Sequence, residues 1–533
     1  MQETVKQTKK TAVCVLVLWI IILNFAAVYI KKTIRMLRKI RLTLAAMFFV
    51  AVTLLFLDFT GTLHRWLGWT AEIQFLPALL AVNVVVVVAL VALTLLLGRV
   101  YCSVICPLGI MQDIIAWLGR RGKKRYGYSP ERRWLRWGVF AGFVACLVGG
   151  LTTLSSLIAP YSAYGRIASN LFAPVYRWGN NMLAYLAERM DSYAFYTTEV
   201  WLKSTPTLIV AIATFIIIGV LAWRGGRTYC NTICPVGTLL GFLSRFSWFK
   251  IHIDESKCNR CGKCSRKCKA ACIDGKHHTI DYSRCVMCMD CLQTCKHGAI
   301  SLERNVKKEE DGVRNSKKGE KNNKKGDRRA FLAIATSVAA SAAVKAQKKR
   351  VDGGLAVIED KVKPERATPI LPPGSVSAQH FTQHCTACQL CVSVCPNQVI
   401  TPSADITRLM QPELSYEKGY CRPECTRCSS VCPTDAIRPL TVAEKSSTRI
   451  GHAVWVRKNC VTITDGVSCG NCARHCPTGA ILMVPLDANN PDSLKIPAVN
   501  TERCIGCGAC ENLCPARPFS AIYVEGHERQ STY

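Results

Sequence analysis

Six times along this 533-residue chain four cysteines recur at close spacing, and that pattern limits the fold more than any other feature. "CNRCGKCSRKC" supplies Cys258, Cys261, Cys264 and Cys268, and "CVMCMDCLQTC" supplies Cys285, Cys288, Cys291 and Cys295. Both read C-x2-C-x2-C-x3-C. Three cysteines at this spacing wrap a loop round one face of an iron–sulfur cubane, and the fourth ligates the other cluster of a pair. The expected sets are Cys258, Cys261, Cys264 and Cys295 on one [4Fe–4S] cluster, and Cys285, Cys288, Cys291 and Cys268 on its partner. "IDESKC" and "IDYSRC" precede the motifs as short strands would. A closed zinc site takes four ligands and leaves the third C-x2-C step and the doubled motif unexplained.

Residues 380–523 repeat the pattern four times. "CTACQLCVSVCP" supplies Cys385, Cys388, Cys391 and Cys395, and "CRPECTRCSSVCP" supplies Cys421, Cys425, Cys428 and Cys432. The third set stretches its first gap, with Cys460 followed by Cys469, Cys472 and Cys476; "CIGCGACENLCP" closes with Cys504, Cys507, Cys510 and Cys514. Pro396, Pro433, Pro477 and Pro515 follow the fourth cysteines and turn the chain away. Cys460 is the least regular, and a packed structural cysteine is its alternative reading. Six [4Fe–4S] clusters are expected, with the pairing inside 380–523 left open. Outside these sets and the two CxxxCP pairs described below, Cys14 and Cys146 fall in apolar runs as small buried side chains, and Cys272, four after Cys268, reads as a bystander with an alternative fourth ligand as its other reading.

The first 250 residues have another character. Apolar runs at 11–30, 42–59, 76–97, 137–158 and 207–223 are each about 17–22 residues, long enough to cross a bilayer. Loop 98–136 carries Arg99, Arg120, Arg121, Lys123, Lys124, Arg125, Arg132, Arg133 and Arg136, whereas loop 60–75 carries only Arg65. The positive-inside bias then puts 31–41, 98–136 and the residues after 223 in the cytoplasm. The net charge of +32 crowds beside these runs and in 307–350, so it reads as membrane orientation and no nucleic-acid partner is expected.

The expected organisation has an extra N-terminal span at 1–40 and a membrane domain at 41–249. A two-cluster domain follows at 250–300 and a basic linker at 301–329. "DRRAFLAIATSVAASAAVKA", 327–346, reads as a twin-arginine-like signal or anchor ahead of the four-cluster domain at 380–523. The fold class is an all-α membrane helical domain plus α+β bacterial-type 2[4Fe–4S] ferredoxin domains.

"GRVYCSVICPLG", 98–109, returns as "GRTYCNTICPVG", 226–237. If the copies meet, Cys102, Cys106, Cys230 and Cys234 form a candidate site for a metal or a further cluster. Two redox-active dithiols, or a plain turn with Cys-Pro capping a helix, are the alternatives. No CxxCH, Walker loop, G-x-S-x-G elbow or dinucleotide fingerprint occurs, so covalent c-type haem is excluded and no catalytic residues are expected. A row of one-electron centres suits electron transfer.

On these motifs, residues 41–300 resemble the membrane-bound ferredoxin of the NapH/MauN type. Residues 327–523 resemble the periplasmic four-cluster ferredoxin of the NapG/MauM type. Lys269 and Lys296 stand where proline usually follows the fourth cysteine, and Asp327 precedes the arginine pair. The resemblance implies a fusion of the two in a bacterial inner membrane, with the first module cytoplasmic and the second periplasmic. It implies an electron carrier, or a subunit of a quinol dehydrogenase complex, linking the quinol pool to a periplasmic reductase or cytochrome. A redox-sensing or maturation factor for a partner metalloenzyme is the alternative. His64 and the aromatic-rich segment 159–206 are the candidate neighbours of a quinone, which no motif marks.

Overall fold

The computed structural model describes residues 34–119, 126–192, 194–295, 297–304 and 360–532. The apolar run 11–30 with Cys14, and the 327–346 stretch, lie outside the described residues. The helical part contains α1 (Ile34–Leu57), α2 (Val84–Leu97), α3 (Pro107–Gly119), α4 (Arg133–Val148), α5 (Pro160–Ile167), α6 (Ala173–Glu188), α7 (Thr205–Gly225) and α8 (Pro235–Leu243). Met36–Leu57 and Thr205–Gly225 are long and apolar enough to cross a membrane by length and composition.

Two other apolar runs do not form single helices. The 76–97 run breaks at Val82, which takes φ +52°, into Phe75–Leu80 and α2. Asn83 starts the second piece, its side chain accepting from Val86 N at 3.3 Å, as an N-cap does. The 137–158 run breaks at Gly149–Gly150, with Gly150 at φ +74°, into α4 and Thr152–Ile158. Apolar composition alone conceals both breaks, because a cap or a left-handed residue costs one polar or glycine position.

Val52, Leu55 and Phe56 of α1 are buried against Tyr161 and Tyr164 of α5, with the Phe56 and Tyr164 rings edge-on at 6.2 Å. All eight residues of α5 are buried. This short helix therefore runs inside the bundle and has no face toward solvent.

The cysteine-rich units sit at opposite ends of α1 and α7. In the first, β1 (Phe249–Ile253) pairs antiparallel with β2 (Ile300–Arg304), Ile251 opposite Leu302, and closes over the two motif loops. It attaches where α1 begins, through Arg38 and Asp290 at 2.7 Å, and where α7 ends, through Arg227 N to Lys269 O at 2.8 Å. The second unit is held by β3 (Thr448–Trp455) antiparallel to β4 (Ile522–Thr532). It attaches where α7 begins: Lys203 Nζ donates to Val392 O at 2.8 Å, and Trp201 Nε1 to Gln398 Oε1 at 2.7 Å. At 1.5 Å per residue, α7 separates the two attachments by about 30 Å.

The second unit is longer than 380–523. Lys361 Nζ donates to Glu511 O at 2.6 Å, Gly526 N donates to Thr368 O, and β4 runs on to Thr532.

Candidate functional site

Four of the six motif loops share one backbone device. A left-handed residue lies on either side of the central cysteine: Arg260 and Gly262 about Cys261, Met287 and Met289 about Cys288, Ala387 and Gln389 about Cys388, Gly506 and Gly508 about Cys507. Residues with a Cβ adopt this region rarely. Its recurrence at one register marks a fixed winding that turns successive amides inward, where they bind anions. Ala387 N donates to Cys385 Sγ at 3.4 Å in this way. The loops with altered gaps, at Cys421–Cys428 and Cys460–Cys472, lack the flanking pair.

The fourth cysteine of each motif crosses to its neighbour. Cys258, Cys261, Cys264 and Cys295 line one cavity. Cys268 lies with Cys285, Cys288 and Cys291. In the second unit Cys432 joins Cys385, Cys388 and Cys391, and Cys395 joins Cys421, Cys425 and Cys428. Likewise Cys514 joins Cys460, Cys469 and Cys472, and Cys476 joins Cys504, Cys507 and Cys510. The pairing that sequence left open is thus first with second and third with fourth, and the irregular Cys460 lies with its set. Among the described residues no three His, Cys, Asp or Glu side chains close on a single metal ion. Four thiols facing one space with backbone amides aimed at them fit a polynuclear iron–sulfur group.

Cys272 is no bystander. Its Sγ is 3.5 Å from Cys268 Sγ and it also bonds Cys285, and the contact with Cys272 lowers the Cys268 thiol below its ordinary range. The sequence signal was a further cysteine four residues beyond a fourth cysteine that has no proline after it. His64 is held by Asp58, with Nδ1 3.2 Å from Oδ2, and Tyr161 and Tyr164 of the 159–206 segment belong to the core.

The repeated CxxxCP pairs converge. Cys102, Cys106, Cys230 and Cys234 are all buried and lie near one another. The glycines, arginines and prolines shared by the two copies each have a physical task. Gly98 and Gly226 take φ +72° and +68°, turning the chain out of α2 and α7. The next arginines then cross between copies: Arg99 donates to Cys230 O at 3.0 Å, and Arg227 to Cys102 O at 2.6 Å. Pro107 and Pro235 begin α3 and α8, where a missing N–H is harmless. A Cβ on Gly109 would meet Cys102 O at 2.3 Å, and one on Gly237 would meet Cys230 O at 2.3 Å. The sequence reading gave these arginines and glycines no role at the site; their recurrence in both copies was the available signal.

Cysteine sets on ferredoxin-type loops and strands define an iron–sulfur protein with several centres. The family described as 4Fe-4S binding domain matches residues 79–126 and again 207–254, and that described as 4Fe-4S dicluster domain matches 384–436 and 466–517. Over 169 residues the chain is 31% identical to the methylamine utilization ferredoxin-type protein MauM of Methylobacillus flagellatus, covering 30% of this chain and 70% of that protein. Over 160 residues it is 30% identical to the ferredoxin-type protein NapF of Escherichia coli, covering 30% of this chain and 87% of that one. No solved structure matches. The chain belongs to the ferredoxin-type iron–sulfur proteins.

Proposed function

We propose that this protein is a membrane-anchored electron conduit that passes electrons between quinol and a periplasmic reductase or cytochrome through six [4Fe–4S] clusters. When bound, each cluster exchanges one electron with no bond-making on a substrate. The chain's part is to hold, shield and tune. Cross-paired cysteines tie neighbouring sets to one rigid unit, buried side chains exclude water, and amides aimed at sulfur stabilise the anionic ligands. The observation that carries the reading is the attachment of the two cysteine-rich units at opposite ends of α7, a helix apolar and long enough to cross a membrane. That arrangement and the basic residues about Arg224 and Arg227 support the reading of one unit facing the cytoplasm and one facing the periplasm.

Anaerobically purified protein is expected to carry at least about 24 iron and 24 labile sulfide per chain, four of each per set. Saturation near half that content under anoxic reconstitution contradicts six clusters, and zinc in place of iron contradicts them outright. Sidedness is tested with a tag after Tyr533: an impermeant reagent is expected to label it in intact cells, and labelling only after lysis contradicts a periplasmic second unit.

Cys272 gives a finer test. Its S–H lies against ligand sulfurs, and hydrogen bonds to sulfur raise a cluster's potential. Cys272→Ala is expected to leave the iron content unchanged and to lower the midpoint potential of one centre in a redox titration. Loss of about four iron instead makes Cys272 a ligand.

A further inference from the structure

Among the described residues one cysteine alone is exposed, Cys261. It holds the central position of its motif loop, between the left-handed Arg260 and Gly262. In loops wound the same way, Cys288 and Cys507 are buried at that position and Cys388 is half-buried. Neighbours make the difference. Arg41 donates to Cys288 O at 3.4 Å, and Arg38 holds Asp290 and Gln293 beside it. Gly508 lies against the Tyr416 ring next to Cys507, and Gly165 of α5 lies against Cys388 O. The cavity that Cys261 lines with Cys258, Cys264 and Cys295 is bounded only by residues of its own unit.

Positive charge surrounds this open edge. Lys257, Arg260, Lys263, Arg266 and Lys267 are all exposed. Arg266 Nη2 donates to Cys261 O at 2.9 Å, which fixes one guanidinium at the exposed loop. Lys257 is paired with Asp254 at 2.9 Å. Glu255 is the one exposed carboxylate among the described residues of 250–300, and the cation it meets is His278, at 3.8 Å. Among the described residues no carboxylate pairs with Arg260, Lys263, Arg266 or Lys267, so four like charges stand open together. Exposed charges add little to stability. A cluster of one sign steers a partner of the other sign and speeds its encounter. Membrane orientation accounts for basic residues on this side of the chain, but not for their gathering round the one exposed cysteine.

We propose that the Cys261 edge is a docking port for a small acidic soluble protein carrying a one-electron centre, which feeds electrons into this chain. The proposal rests on the electron-transfer reading above and adds a second donor to it, since a route from quinol to the periplasm makes no use of a set open on the other side. One electron leaves the partner's reduced centre, which is oxidised, and reduces the set holding Cys261. The adjacent set, tied to it by the crossing of Cys268 and Cys295, takes the electron next. No bond forms or breaks and no proton need move. A nucleic acid would meet the same charges but has no use for an open redox edge at their middle.

The test uses the oxidised full chain in detergent and, as the probe, a flavodoxin reduced to its anionic hydroquinone. Losing one electron converts that flavin to its neutral semiquinone without proton release, and the flavin absorption reports the step in stopped flow. The account expects rapid semiquinone formation that slows as salt is raised, because exposed charges are screened beyond about 10 Å at 0.1 M. Lys263→Glu with Lys267→Glu is expected to slow the reaction about tenfold or more at low salt, within the range that steering supplies. The same charge change on the second unit, Lys495→Glu with Arg529→Glu, is expected to slow it far less. Equal slowing by both pairs, a rate indifferent to salt, or no electron transfer from flavodoxin overturns the proposal. Iron content shows that each variant is loaded, and Lys263→Ala with Lys267→Ala covers the case in which charge reversal prevents folding; an unchanged rate there overturns the proposal as well. Wild-type protein without iron at this set defeats the underlying reading instead, and is seen before any variant is made.

Discussion

Arg366→Ala is expected to cost the second unit about 3–5 kcal/mol, the usual penalty for stripping one partner from a buried ion pair. Arg366 and Glu511 bond side chain to side chain and are 4% and 3% exposed. Glu511 stands next to Cys510, and its other oxygen accepts from Val524 N at 2.8 Å, tying the last motif to β4. Without the guanidinium, a carboxylate remains in a site that already pushes its pKa up by burial. Iron retention after mild heating under anoxia checks the effect, with loss confined to the sets holding Cys504 and Cys514. The double variant Arg366→Leu with Glu511→Gln is expected to recover much of the stability, since an uncharged amide still accepts from Val524 N. A single variant as stable as wild type contradicts this account of the unit's core.

Gly165→Val is expected to unseat the second unit from the helical part. Even a single Cβ at this position would lie 2.3 Å from Cys388 O and 2.9 Å from Phe56 Cζ, and α5 is buried along its whole length. Overpacking of this kind costs typically about 1–3 kcal/mol; here the obstructing atom is backbone, so relief comes by separating the two parts. Hydrogen exchange over residues 385–395 and 160–167 is expected to rise, while the first unit's strands β1 and β2 keep their protection. Unchanged exchange at both segments contradicts the direct seating of Cys388 on α5.

Much of the site was legible because ligand spacing is a local property. Cys258 to Cys264 must wrap one face of a cluster, so three residues of spacing disclose both chemistry and loop. The crossing of Cys295 and Cys268 between neighbouring sets was legible for the same reason. Contacts between distant segments were not. Nothing local to Arg99 tells that it spans to Cys230, and the spacing of Cys272, four residues after Cys268, leaves open whether its sulfur meets the ligands, as the fold makes it do. The helical part was legible as apolar mass but not as elements: Asn83 and Gly150 interrupt runs that hydropathy averages over. The repeat at 98–109 and 226–237 announced that its residues matter, and the crossing arginines supply the reason, since each copy is completed by the other.

The central claim, electron passage from quinol into this chain's clusters, is tested most directly by mixing. Oxidised full-length protein in detergent is combined anaerobically with excess reduced quinol, and the broad cluster absorption is followed, with freeze-quenched EPR in parallel. The account predicts bleaching and the growth of reduced-cluster signals within the mixing series. Unbleached clusters that dithionite nevertheless reduces would contradict it, because centres that are present and redox-active would then be closed to quinol.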